Sequence, residues 1–102
     1  MHRWDAARLL RPGMEPASAG TRLQAVAEEA VATKAIAEAV GRSLGLRVAS
    51  IAAPDASAHF GVVGTFFART MTATSNVTRQ LPTWEPAGPT LIEDIDAGAC
   101  TA

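Results

Sequence analysis

The amino-acid sequence predicts a small α/β domain, mostly helical, with about five helices and two short strands in a single unit over 1–102. Three observations predict that class. Apolar residues recur at helical spacing in several stretches, each punctuated by Pro or Gly. Two short runs, 21–27 and 46–51, instead alternate or carry β-branched residues, as strands do. The second run comes after a helix and a short joint, the connection that builds α/β units.

Residues 3–11 form the first amphipathic helix, stopped by Pro12-Gly13. Glu15 to Gly20 is a small-residue loop. Thr21 to Ala27 partly alternates, with Leu23, Ala25 and Ala27 on one side, and is the first strand. The clearest helix comes next. Thr33 caps it, Ile36, Val40 and Leu44 recur on one face, and Gly45 suits the left-handed stop. Leu46 to Ile51 is the second strand. Pro54-Asp55 opens a helix that continues through Ala56 to Ala68, with Phe60, Val63 and Phe67 on a stripe interrupted by Gly61 and Gly64. After a loop over 70–75, Thr74 or Ser75 caps a short helix ending before Pro82. Residues 84–89 make a turn, and Leu91, Ile92 and Ile95 form the apolar face of the last helix.

The chain is 48% hydrophobic and 19% charged, enough for one core and too short for two. Much of that apolar content is alanine, and aromatics are only 5%, so the core buries little area per residue. Nine Lys/Arg against ten Asp/Glu give a net charge of −1. Neither half is a basic patch of the kind phosphate-backbone binding needs, which points away from nucleic acid. No apolar stretch approaches the ~20 residues of a membrane helix, and the amino terminus does not read as a secretory signal. The single cysteine, Cys100, is expected as a free thiol on the tail. A soluble chain in the cytoplasm is the expectation.

Functional groups are few. No Gly-x-Gly-x-x-Gly occurs, tyrosine is absent, and Lys34 is the sole lysine. His59 is the histidine inside a structured segment, either a general base or a hydrogen-bonded packing residue beside Phe60. Ser57 lies on a different helix face from His59, against a Ser–His couple. Gly61-Val62-Val63-Gly64 permits close packing or a kink. Asn76-Val77-Thr78 matches the glycosylation pattern, which is incidental without a secretion signal. Glu93, Asp94 and Asp96 read as a solvated face and not as a metal site. Residues 35–44 have the look of the first helix of a helix-turn-helix reader, but strand-like residues and a proline stand where a recognition helix is required. A small non-catalytic interaction or DNA-binding module is the alternative reading.

By the order of its segments the chain resembles the last third of extended short-chain dehydrogenases/reductases of the NAD-dependent epimerase/dehydratase family. His2-Arg3-Trp4-Asp5-Ala6-Ala7 is similar to the family's His-x-x-Asp-Ala-Ala. Ile36 to Leu46 resembles its Ile-Ala-Glu-x-Ile-Gly-Arg-x-Leu-Gly helix. Ala58-His59-Phe60-Gly61 with Phe66-Phe67-Ala68 looks like the helix bounding its substrate pocket. Thr74 to Arg79 resembles its Ser-Ser-x-x-Thr-Arg turn, Trp84-Glu85-Pro86 its Gly-Trp-x-Pro, and Leu91 to Gly98 completes the likeness. Pro82-Thr83, Val62, Thr70, Thr72 and the tail from Ala99 depart from the pattern.

The resemblance implies the substrate-side, C-terminal lobe of a Rossmann-type oxidoreductase. In that family the NAD or NADP site and the Tyr-x-x-x-Lys pair lie in an amino-terminal Rossmann domain, and neither motif is present here. Met1 then falls as if translation began in mid-domain. The implied roles are those of pocket walls: His59, Phe60, Phe66, Ser75 and Arg79 contact substrate or close the cleft. No catalytic residue, cofactor ligand or metal ligand is expected in this chain. Its partner would be a Rossmann domain supplied upstream or in trans. Faces meant to lie against that domain would be exposed, leaving a marginal, sticky domain.

Overall fold

The computed structural model describes residues 1–99; the expected free thiol of Cys100 lies outside them. Among the described residues five α-helices occur in chain order: α1 (Arg3–Met14), α2 (Thr33–Leu44), α3 (Ala56–Phe60), α4 (Gly64–Phe67) and α5 (Leu91–Asp96). Single 3₁₀ turns cover Ala53–Asp55, Gly61–Val63 and Thr78–Gln80.

No strand occurs among the described residues. The expected α/β class, with strands at 21–27 and 46–51 and the sheet of a Rossmann-type lobe, is therefore overturned. A strand exists only through a ladder partner, and neither run has one. In the first run, side chains take the backbone groups instead. The Thr78 hydroxyl accepts from Gln24 N–H and donates to Gln24 C=O, both at 2.8 Å, while Ser75 Oγ donates to Val26 C=O at 2.6 Å. In the second run Leu46 N–H bonds Gly41 C=O at 2.8 Å, and beyond it the chain to Ile51 pairs with nothing among the described residues.

The helices obey their local signals with instructive exceptions. His2 caps α1, its Nδ1 accepting from Trp4 N–H at 3.3 Å. Pro12 does not stop α1, which runs on to Met14. Within the last turn a proline forfeits few backbone bonds. Gly45 ends α2 at φ 67°, as expected, but Ala32 occupies the cap position and Thr33 is already helical. The helix expected from 54 to 68 is broken in the middle. Gly61 sits at φ 66°, outside helical backbone, and Gly64 brings α4 so close to α3 that a Cβ there would collide with the Ala56 carbonyl. The helix expected before Pro82 is only the Thr78–Gln80 turn, because the Ser75 and Thr78 hydroxyls are committed to the 24–26 segment. At α5 a capping box closes: Thr90 Oγ1 accepts from Glu93 N–H, and Glu93 Oε2 accepts from Thr90 N–H at 2.8 Å.

Long-range ties hold these pieces together. Asp5 on α1 is 1% exposed, and its carboxylate accepts the N–H groups of Ala87 at 3.1 Å and Gly88 at 2.8 Å. Trp84, also buried, donates from its indole to Asp5 C=O at 2.8 Å. The Arg8 guanidinium meets the same carboxylate and reaches Glu85 C=O at 3.2 Å. Gly88 is required here, since a Cβ would lie 2.8 Å from Asp5 Oδ2. Elsewhere α2 packs on α5, with Ala39 and Ile95 buried and Arg42 donating to both Asp96 oxygens at 3.1 Å.

The outcome is thin and extended, 46 × 29 × 17 Å with a radius of gyration of 16.8 Å. A close-packed chain of this length would have about 13 Å. Its accessible surface is 7602 Å², against roughly 5,500 Å² for a compact monomer of this mass. Phe60, Phe66, Phe67, Val62 and Leu46 are all exposed.

Candidate functional site

The α3–α4 hairpin and the segment before it build an apolar groove of about 240 Å³. Val48, Ile51, Ala56, Phe60 and Phe67 wall it, and Lys34 from α2 stands at its edge. The aromatic wall is ordered edge to face: His59 and Phe60 centroids lie 4.6 Å apart at 85°, Phe60 and Phe67 5.3 Å apart at 86°. Gly61 and Gly64 produce this arrangement, since the break and the close approach fold α4 back on α3.

A second, polar cleft of about 210 Å³ lies among Arg22, Gln24, Thr74, Ser75, Asn76 and Thr78. Its buried hydroxyls already have partners. Arg79 Nε donates to Ser75 Oγ at 3.0 Å, and its guanidinium reaches Ala27 C=O at 3.2 Å and Glu85 Oε1 at 3.7 Å.

The expected pocket residues therefore divide. Phe60 walls the apolar groove, with His59 on the ring beside it and Phe66 exposed on the same short helical hairpin. Ser75 is buried in the polar cleft and Arg79 braces it. Among the described residues no hydrogen bond or ring contact joins the first set to the second, and the two line different cavities. His59 has a ring contact with Phe60 and no hydrogen bond to Ser57, so no nucleophile–base couple forms there. The chain after α2 forms no second helix through residue 51, so residues 33–51 lack the geometry of a helix-turn-helix.

The acidic residues are engaged structurally. Glu93 closes the capping box, Asp94 lies 3.9 Å from His2 Nε2, and Asp96 pairs with Arg42. Thr90 N–H, then the Thr90 hydroxyl, hold the Glu93 carboxyl below its ordinary value. Burial pushes the Asp5 carboxyl up, but the Ala87 N–H, the Arg8 guanidinium and the Gly88 N–H outweigh it and hold Asp5 below its ordinary value. Among the described residues no group of three His, Cys, Asp or Glu is placed to hold a metal ion. Nor is any helix there long and apolar enough to cross a membrane.

Sequence reasoning does not find the Asp5–Trp84–Gly88 clasp, whose partners stand 79 to 83 residues apart. Phe67 and Ile51 as groove walls are signalled only as parts of a helix stripe and a strand.

No protein-family model matches the chain, and no solved structure matches it significantly. It is similar to Uncharacterized protein C2A9.02 of Schizosaccharomyces pombe, 35% identical over 99 residues that cover 97% of this chain and 34% of that protein. It is also similar to Uncharacterized protein YLL056C of Saccharomyces cerevisiae, 37% identical over 97 residues covering 95% of this chain and 33% of that protein. The chain spans about a third of the length of these curated relatives.

Proposed function

We propose that this chain acts as the substrate-side lobe of an NAD(P)-dependent epimerase/dehydratase-like oxidoreductase, supplying pocket walls and no hydride chemistry of its own. The observation that carries the reading is the exposed aromatic hairpin of α3 and α4 on a plate with roughly 2,100 Å² more surface than a compact monomer. A face of that kind is stable when another domain covers it. His59, Phe60 and Phe66 stand on it, and these are the residues to which the family resemblance gives pocket roles. In each relative about two thirds of the length lies outside the match, room for a nucleotide-binding domain. The chain itself has no tyrosine and no glycine-rich phosphate loop. Ser75 and Arg79 act on this reading as the brace that holds the lobe in shape.

Calorimetry tests it. The chain alone is expected to give no heat with NAD(H) or NADP(H). Mixed with the unmatched two thirds of C2A9.02, it is expected to associate, and Phe66→Asp to weaken that association about tenfold, as loss of a buried aromatic anchor does. Micromolar dinucleotide binding by the isolated chain would sink the reading, as would turnover of a sugar nucleotide with added coenzyme.

A further inference from the structure

The polar cleft among Arg22, Gln24, Thr74, Ser75, Asn76 and Thr78 contributes only a brace to the reading above, which rests on the aromatic hairpin. Its floor is fixed. Ser75 and Thr78 are buried, and their hydroxyls are committed to Val26 C=O and to both backbone groups of Gln24. The rim is the opposite. The side chains of Arg22, Gln24, Thr74 and Asn76 make no hydrogen bond or ion pair among the described residues. Other cations have a carboxylate: Arg8 meets Asp5, Arg11 Glu15, Lys34 Glu38, Arg42 Asp96 and Arg79 Glu85. Of the arginines with no such partner among the described residues, Arg3, Arg22, Arg47 and Arg69, Arg22 alone lines either cleft. No Asp or Glu lines the cleft with it.

We propose that this cleft binds a small hydroxylated phosphate monoester. Charge, donor set and size together select that class. A guanidinium with no counter-charge draws an anion, and its planar fork grips two phosphate oxygens at once. The Gln24 and Asn76 carboxamides and the Thr74 hydroxyl add further donors, more than the two oxygens of a carboxylate take up and suited to the three of a phosphate. The same carboxamides carry C=O acceptors, which an inorganic anion leaves idle and a ligand hydroxyl fills. The volume of about 210 Å³ is several times the ~30 Å³ that a water takes in the liquid, room for a phosphate with a few carbons attached. The two sides of the cleft are already tied by the Thr78–Gln24 bonds at 2.8 Å, so binding orders little backbone. The site does not depend on the oxidoreductase reading, since the aromatic hairpin lines the other groove.

Amide chemical shifts of the full chain, followed during titration with glycerol phosphate, inorganic phosphate and glycerol, are the test. Glycerol phosphate is expected to move the amides of Gln24 and of 74–78 with millimolar affinity or better. Inorganic phosphate is expected to move the same amides with weaker affinity, and glycerol to move none. Arg22→Ala is expected to weaken binding at least about tenfold, as loss of a charged hydrogen-bond donor does. Asn76→Asp sets a carboxylate in the cleft and is expected to do the same. Arg69→Ala, an exposed arginine outside the cleft, is expected to leave binding unchanged. All three positions are exposed, and helix content by circular dichroism checks that each variant is folded. Amides unmoved at about 10 mM glycerol phosphate, a millimolar threshold that corresponds to only a few kcal/mol, would overturn the proposal. So would glycerol or inorganic phosphate binding as tightly as the ester, or an equal loss in Arg69→Ala.

Discussion

Removing the Asp5 carboxylate is the most informative perturbation of this fold. Asp5→Ala deletes the acceptor for Ala87 and Gly88 N–H, both part-buried, and leaves the Arg8 guanidinium without its partner. Hydrogen bonds to a charged acceptor contribute ~1.5–3 kcal/mol each. Three are lost, the one from Arg8 at a half-exposed guanidinium, and relief of carboxylate desolvation and alanine's better helix propensity return part of that. The net loss is about 3 kcal/mol, within the range for a broken buried network. With Leu9, Ala39, Ala56, Trp84 and Ile95 as its buried apolar residues, the domain belongs near the ~5 kcal/mol end of the ordinary stability range. Asp5→Ala therefore removes more than half of the total. Asp5→Asn keeps the shape and one acceptor, and is expected to lose about 2 kcal/mol. Urea unfolding followed by circular dichroism measures both, and Trp84 fluorescence in a Trp4→Phe background reports the clasp directly. A loss below about 1 kcal/mol for Asp5→Ala would show that the buried clasp is not what joins α1 to the 84–88 loop.

The same geometry sets three other outcomes. Asp5 titrates below its ordinary value of 3.8 in the fold, so its stabilisation is present above that value and is lost as pH falls through the lower one. Acid unfolding should be flatter in Asp5→Asn, with a residual slope because Glu93 is lowered in the same sense. Gly64→Ala improves helix propensity by ~1 kcal/mol, yet the Ala56 carbonyl occupies the space of its Cβ. A net destabilisation is expected in thermal melts, and a stabilised variant would refute the close approach. Thr78→Val keeps volume and loses both bonds to Gln24. It should lower stability by about 2 kcal/mol, with amide exchange of Gln24 accelerated.

Local signals in the sequence are legible where the chain interacts with itself nearby. Gly45 as the stop of α2 is where residue type alone places it, whereas the turn expected over 84–89 falls at Pro82 and Thr83, with only a bend at Gly88. Thr90 and Glu93 carry a capping-box spacing that fixes the start of α5, a second signal of the same local kind. Features that depend on a distant partner are the ones the sequence conceals. Residues 46–51 have strand composition, but composition does not supply a ladder. Ser75 has the character of a helix cap, and nothing nearby reveals that its hydroxyl is committed to Val26. Ile36, Val40 and Leu44 form the apolar stripe of α2, yet Ala39 and Gly41 are the residues buried there, while Val40 and Leu44 remain exposed. For the site, His59, Phe60 and Phe66 do share one hairpin. Ser75 and Arg79, grouped with them by order along the chain, belong to a different cleft, where Arg79 braces Ser75.

The Asp5 clasp also governs when this protein can fold. Its bonds reach 79 to 83 residues along the chain, so the buried carboxylate of α1 meets its partners only once the 84–88 segment has been made. The Arg42–Asp96 tie imposes a similar wait on α2, with a separation of 54. During synthesis the early helices are supported only by their own short-range bonds, which are marginal for segments of 12 residues. Folding is therefore slowed by the late closure of long loops.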